Sequence, residues 1–208
     1  ISNHASVFVG SQELEPGAGW DYSGFLDDLV ATPTMTAPQL GSAIVDSYGQ
    51  FYGTGFDETL SAIDLSRLRW DSPNSLVAAL DNLALTVMDT ATRFDLAALD
   101  GHRDTYGGLY GTNFWWDNPY DYCDIGNVFA DVVADSTLSA AVQSAAQGVL
   151  DAYSGVAIAN YSSTPGYGTG LSIYWADKGF YPNASYNAGE LKFAAATHWD
   201  EFLNWADS

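Results

Sequence analysis

Residues 11–22 read Ser-Gln-Glu-Leu-Glu-Pro-Gly-Ala-Gly-Trp-Asp-Tyr and follow directly on the apolar run Val7-Phe8-Val9. A β-favouring run that stops at Gly10 and Ser11, then two carboxylates, a Pro-Gly turn and an aromatic anchor, is the pattern of a strand feeding a surface loop. In α/β sheets such loops carry the ligand sites.

Downstream, Phe25, Leu26, Leu29 and Val30 recur at helical spacing and stop before Pro33. Pro38 suits the first turn of a second helix, with Leu40, Ile44, Val45 and Tyr48 on one face and Gly49, Gly53 and Gly55 ending it. Thr59 to Leu65 reads as a strand. The Ser72-Pro73-Asn74 turn then leads into one long helix carrying Leu76, Leu80, Leu83, Val87, Phe94 and Leu99. Gly101 to Asp121, rich in Gly, Tyr and Trp, reads as an ordered aromatic loop. Helical period returns in Ile125 to Val133 and from Leu138 to Tyr153. Two strands, Val156 to Tyr161 and Leu171 to Trp175, flank the Pro165-Gly166 turn, and a final helix runs from Gly189 to Trp205. Strands mixed with longer helices predict a mixed α/β layer architecture.

The chain has 208 residues, 47% of them hydrophobic, enough to bury a core. No run of about 18 apolar residues exists, which excludes a spanning helix. Ile1 is not an initiator Met and no leader pattern opens the chain, which suits a processed segment of a longer precursor. A formal charge of -20, with only Arg67, Arg69, Arg93, Arg103, Lys178 and Lys192 on the basic side, argues against nucleic acid or an anionic membrane as partner. A cationic peptide would be attracted, although such acidity also serves solubility. One cysteine rules out an internal disulfide. Asn160-Tyr-Ser and Asn183-Ala-Ser fit the glycosylation sequon, with nothing else pointing to a eukaryotic secretory route.

The 11–22 segment resembles the Ser-x-Glu-x-Glu-Pro-Gly-x-Gly-Trp-x-Tyr segment of the clostripain family of cysteine endopeptidases. The resemblance continues through Ser61-Ala62-Ile63-Asp64-Leu65, through Tyr122-Cys123-Asp124-Ile125 to Phe129, through Gly170 to Trp175, and through Leu191-Lys192-Phe193 and Trp199 to Leu203. It implies a caspase-like α/β fold, a mixed sheet flanked by helices, of which residues 1–208 would be the C-terminal part and 100–208 a C-terminal subdomain. The family's His-Gly and Asp-x-Cys would lie upstream of Ile1, with Ile1 to Ala5 the tail of the helix after the Cys. The catalytic pair would then come from a preceding segment or light chain, and the protein would be secreted.

The resemblance also implies cleavage after Arg or Lys, for which a pocket needs a carboxylate. Glu13, Glu15 and Asp21 are the candidates, with Ser11 and Trp20 as further substrate contacts. Structural roles stand beside these: Glu15 capping a turn, Trp20 packing, and Asp21 starting a helix. Ala18 departs from the polar or acidic residue that many relatives carry between the two glycines, which weakens the expectation of strict basic specificity. Asp117, Asn118, Asp121 and Asp124 lie within eight residues and offer oxygen ligands for calcium, which family members often need. In a chain this rich in Asp, such a cluster also arises by chance.

Cys123 could pair with His102 only as a naive dyad. Opening an amphipathic helix, it reads as a packed thiol. His4 and His198, on predicted helices and without metal-ligand spacing, read as surface or capping residues. Two functions follow. One is part of a peptidase acting on peptide or protein substrates; the other is a non-catalytic, calcium-dependent binding module derived from one. An Asp-x-Cys and a His-Gly upstream of Ile1 would favour the first, and their absence the second.

Overall fold

The computed structural model describes residues 4–54, 58–106, 122–176, 186–187 and 189–207. Strands β1 (Val7–Gly10), β2 (Thr59–Asp64) and, later in the chain, β4 (Ala157–Ser162) form an antiparallel sheet in the order β1-β2-β4. Register sets Gly10 opposite Ser61 and Thr59 opposite Ser162, so the end of β1, the start of β2 and the end of β4 share one rim. The central strand is buried from Thr59 to Ile63, as a strand covered on both faces must be.

Helix α2 (Ala37–Tyr52) covers one face, and α1 (Tyr22–Ala31) packs against α2. Pro38 sits in the first turn of α2, and the Gln39 side chain accepts the Thr36 N–H at 2.9 Å. Val45 and Tyr48 of α2 pack on Leu60 and Ala62 in a small core. Gly49 lies inside α2, and Gly53 ends it with φ +68°. A Cβ at Gly49 would come within 2.7 Å of the Tyr161 ring, so the glycine admits β4 rather than stopping the helix.

The opposite face carries the main core, built from α3 (Leu76–Thr90), α4 (Arg93–Tyr106), α5 (Ile125–Ala134), α6 (Ala140–Tyr153) and α8 (Trp199–Asp207). Trp175, Trp199 and Phe202 meet there, with the two Trp rings 5.7 Å apart edge to face and Trp199 Nε1 donating to the Tyr174 carbonyl at 2.7 Å. Burying each such side chain is worth about 1.5–3 kcal/mol. A second antiparallel pair, β3 (Tyr122–Asp124) with β5 (Ser172–Tyr174), stands beside it. The short helix α7 (Lys192–Ala196) precedes α8.

Local chemistry breaks two helices that periodicity alone reads as continuous. Ala91 leaves helical geometry with ψ 137°, and the Asp95 carboxylate accepts Thr92 N at 2.8 Å and Thr92 Oγ1 at 2.7 Å, starting α4 afresh. Helix α4 also takes in Gly101 to Tyr106, which the sequence assigned to the aromatic loop, and the rest of that loop lies outside the described residues. The final helix is interrupted at Thr197 and His198, whose backbone N–H turns away to Asp81 of α3 at 2.7 Å. Cys123 lies in β3 and does not open α5, and His4 sits in a turn, not a helix. The strands flanking Pro165-Gly166 do not pair with each other: β4 joins β2, and β5 joins β3.

Candidate functional site

The loop after β1 is stitched to the start of β2. Ser11 Oγ lies 3.0 Å from Thr59 Oγ1, Gln12 N donates to the same hydroxyl at 3.0 Å, and Glu13 N donates to Ser11 Oγ at 2.9 Å. Ser11 therefore shapes the loop with its side chain.

From this point Gln12 reaches across the rim. Its Nε2 donates to Asp124 Oδ2 at 3.0 Å, and its Oε1 accepts Gly170 N at 2.9 Å. Asp124 is fully buried and caps α5, taking Asn127 N at 2.8 Å on Oδ1, while Thr169 N donates to Oδ2 at 2.7 Å and Thr169 Oγ1 to Oδ1 at 2.8 Å. Two donors on each oxygen use the whole acceptor capacity of a carboxylate. Thr169 is held in turn by Tyr153, whose hydroxyl donates to the Thr169 carbonyl at 2.9 Å, and burial pushes that phenol up to about 12. Gly170, at φ +120°, passes so close that a Cβ would meet Ala157 Cβ at 3.2 Å. Asp117, Asn118 and Asp121, the other members of the proposed calcium cluster, lie outside the described residues. Among the described residues no group of three or more His, Cys, Asp or Glu is gathered as a metal site.

Each acidic residue of the 11–22 segment has a neighbour. Tyr167 donates its hydroxyl to Glu13 Oε1 at 2.8 Å, Trp20 Nε1 donates to Glu15 Oε2 at 2.8 Å, and Ser47 Oγ donates to Asp21 Oδ2 at 3.0 Å. Asp21 stands at the N-cap position of α1 but makes no side-chain cap bond. Pro16 O accepts Gly19 N at 2.9 Å, closing the Pro-Gly turn, and Tyr52 Oη donates to Gly19 O at 2.7 Å, fastening it to the end of α2. The structure thus brings Ser11 and Glu13 to the Thr59 side of the rim and Glu15, Trp20 and Asp21 to the α2 side.

Sequence reasoning passed over Gln12, Tyr48, Glu58, Thr59 and Thr169. A glutamate directly before an apolar strand was a usable sign for Glu58, whereas Gln12 reaches Asp124 and Gly170 across more than 100 residues and Thr169 reaches Asp124 across 45, contacts that leave no local trace.

Cys123 has no exposed surface, and burial raises its thiol far above the usual range. His102 bonds Asp135 at 2.9 Å, and that carboxyl is held down at about 2, first by Thr137 and then by the imidazole. His198 Nδ1 lies 2.8 Å from Asp81. A cavity of about 400 Å³ opens elsewhere, between α3, β5 and α7, with an apolar lining and Lys192 over Trp70.

Comparisons with known proteins agree with this architecture. No curated protein matches the chain. The structure is similar to that of a clostripain from Bacteroides thetaiotaomicron ATCC 29148 in complex with the peptide inhibitor BTN-VLTK-AOMK, at 16% identity and a TM-score of 0.57, covering 94% of this chain and 78% of that one. The fold is therefore the mixed α/β, caspase-like one, a small sheet flanked by helices. The Clostripain family model matches residues 1–205. The chain belongs to the clostripain family of cysteine peptidases.

Proposed function

We propose that this chain is the C-terminal, heavy-chain-like part of a secreted cysteine endopeptidase that cuts after Arg or Lys, with its catalytic His and Cys supplied by a preceding segment or light chain. The observation that carries this reading is the complete burial of Cys123, the chain's single cysteine. A nucleophile must be a thiolate within reach of substrate, and burial opposes both requirements. His102, the partner it would need, is engaged with Asp135.

In the reaction, an imidazole assists thiolate attack on the peptide carbonyl, backbone amides stabilise the oxyanion, and water releases the acyl-enzyme. This chain supplies the cleft wall at the β1 rim. Strand β1 is an edge strand among the described residues, which supports a strand from the preceding segment completing the sheet there. The anionic surface favours basic peptides, and the lysine in the VLTK inhibitor of the Bacteroides clostripain agrees with that preference.

The test is turnover of fluorogenic Arg and Lys peptides by the chain produced with its preceding segment, in reductant and calcium. Activity should be abolished by iodoacetamide while Cys123 stays unlabelled by mass spectrometry. Absence of turnover, or inactivation that tracks labelling of Cys123, would overturn the reading.

A further inference from the structure

The carboxylates of the 11–22 loop are each met by a neighbour, but two buried polar atoms next to it are not. Tyr48, on α2, is 1% exposed and Glu58, just before β2, is 7% exposed; among the described residues neither Tyr48 Oη nor Glu58 Oε2 has a hydrogen-bond partner. Buried donors and acceptors left unpaired in a folded protein are costly, and they persist where another group completes them.

Both residues border one stretch of β2: Tyr48 packs on Leu60, which pairs with Tyr161, and Glu58 lies two residues before Leu60. The Tyr48 ring lies 4.5 Å from that of Tyr52 and 5.7 Å from that of Tyr161. The flanking hydroxyls are committed, Tyr52 to the Gly19 carbonyl and Tyr161 to the Gly53 carbonyl. Burial first, then Tyr52, Glu15, Glu58 and Tyr161, raise the Tyr48 phenol far above its ordinary range. Glu15 stands exposed on the outside of this group and Glu58 buried within it.

Four of the protein's described cations are engaged elsewhere: Arg67 toward Asp64, Arg69 to Asp71, Arg103 to Asp104, and Lys192 over Trp70. Two carboxylates, a hydroxyl without a partner among the described residues and three aromatic rings are the chemistry of a site for a positively charged group. Its position is fixed by Thr59, the residue after Glu58, whose hydroxyl holds Ser11 and Gln12 of the substrate loop. Ala18, at the middle of that loop, offers no charge.

We propose that Glu58 and Tyr48, with Glu15 beside them, receive the guanidinium or ammonium of a substrate side chain, so that the principal specificity carboxylate comes from the start of β2, with Glu15 the 11–22 loop's only contribution. This rests on the peptidase reading above. Glu58 accepts the N–H donors as a charged partner, and Tyr48 Oη accepts a further one.

The experiment compares peptides carrying Arg or Lys with a citrulline peptide of the same sequence, on the chain produced with its preceding segment. E58Q should lower the Arg-over-citrulline ratio of kcat/KM by on the order of 100-fold, the cost of removing one member of a desolvated charge pair. Y48F should lower it by roughly 10-fold, the cost of one hydrogen bond to a charged group, while keeping the wild-type melting temperature. In parallel, agmatine should raise the melting temperature of the wild type and not of E58Q. An unchanged preference in E58Q with active wild-type enzyme overturns the pocket and leaves the peptidase reading standing. If the wild type cleaves no peptide, the peptidase reading falls and the agmatine shift decides the pocket alone: a shift lost in E58Q supports it, and an equal or absent shift overturns it.

Discussion

The two flanks of the β1 rim bury polar groups in opposite ways. On one, Asp124 is surrounded by Gln12, Asn127 and Thr169 until neither oxygen has capacity left, and Tyr153 secures Thr169 behind it. On the other, Tyr48 and Glu58 are also buried but keep an oxygen each without a partner among the described residues. A saturated network fixes geometry, because every member would pay desolvation if it moved. An unsaturated one holds affinity in reserve for whatever enters. The same few residues of loop, from Ser11 to Trp20, thus lean on a rigid support at one side and border an incomplete site at the other.

The largest effect expected from breaking this contrast is on the saturated flank. Asp124→Ala orphans buried donors on three residues and should cost about 3–5 kcal/mol, read as a lower urea midpoint at unchanged m. A loss under about 1 kcal/mol would mean that the network is not what holds the rim. Gly170→Ala forces a side chain at φ +120° against Ala157 and should cost about 1–3 kcal/mol by the same measurement. The sharpest comparison uses two buried tyrosines. Tyr153→Phe removes a made hydrogen bond and should cost about 1 kcal/mol, whereas Tyr48→Phe removes an unmade one and should stay within about 0.5 kcal/mol of wild type. Equal penalties would erase the distinction between the flanks.

The smallest effect lies away from the rim, at the joint between α8 and α3. The hydrogen bond to Asp81 raises the His198 imidazole above its ordinary 6.5. Its contribution is therefore full below that pH and is lost as pH rises through the raised folded value. With the imidazole half exposed, the melting temperature should fall only slightly across that window, and Asp81→Asn should flatten the difference.

Much of this architecture was legible in the chain. The apolar face and Pro38 of α2, the brevity and alternation of β2, and the Pro-Gly punctuation after β1 each carry their cause locally. The helix breaks were not, because the Thr92–Asp95 cap and the His198–Asp81 contact compete with a period that runs straight through them. Strand β3 escaped because three residues cannot display a period, and its pairing with β5 depends on a segment about 50 positions away. In the rim, loop chemistry pointed to Glu13, Glu15 and Asp21, but which carboxylates find partners at home is decided by Tyr167, Trp20 and Ser47 from three different directions. That Glu58 and Tyr48 each keep an atom without a partner among the described residues is a property of packing, visible only once α2 lies on β2.

Strand β1, at one end of the order β1-β2-β4, also governs how this protein behaves in a tube. Its outer row of backbone groups faces no strand among the described residues, and Phe8 on it is 46% exposed. Such a margin is adhesive: it recruits whichever extended chain arrives first. For preparations of this chain by itself, copy-to-copy strand exchange is the failure to expect. The charge of -20 resists it at low ionic strength, and added salt weakens that resistance.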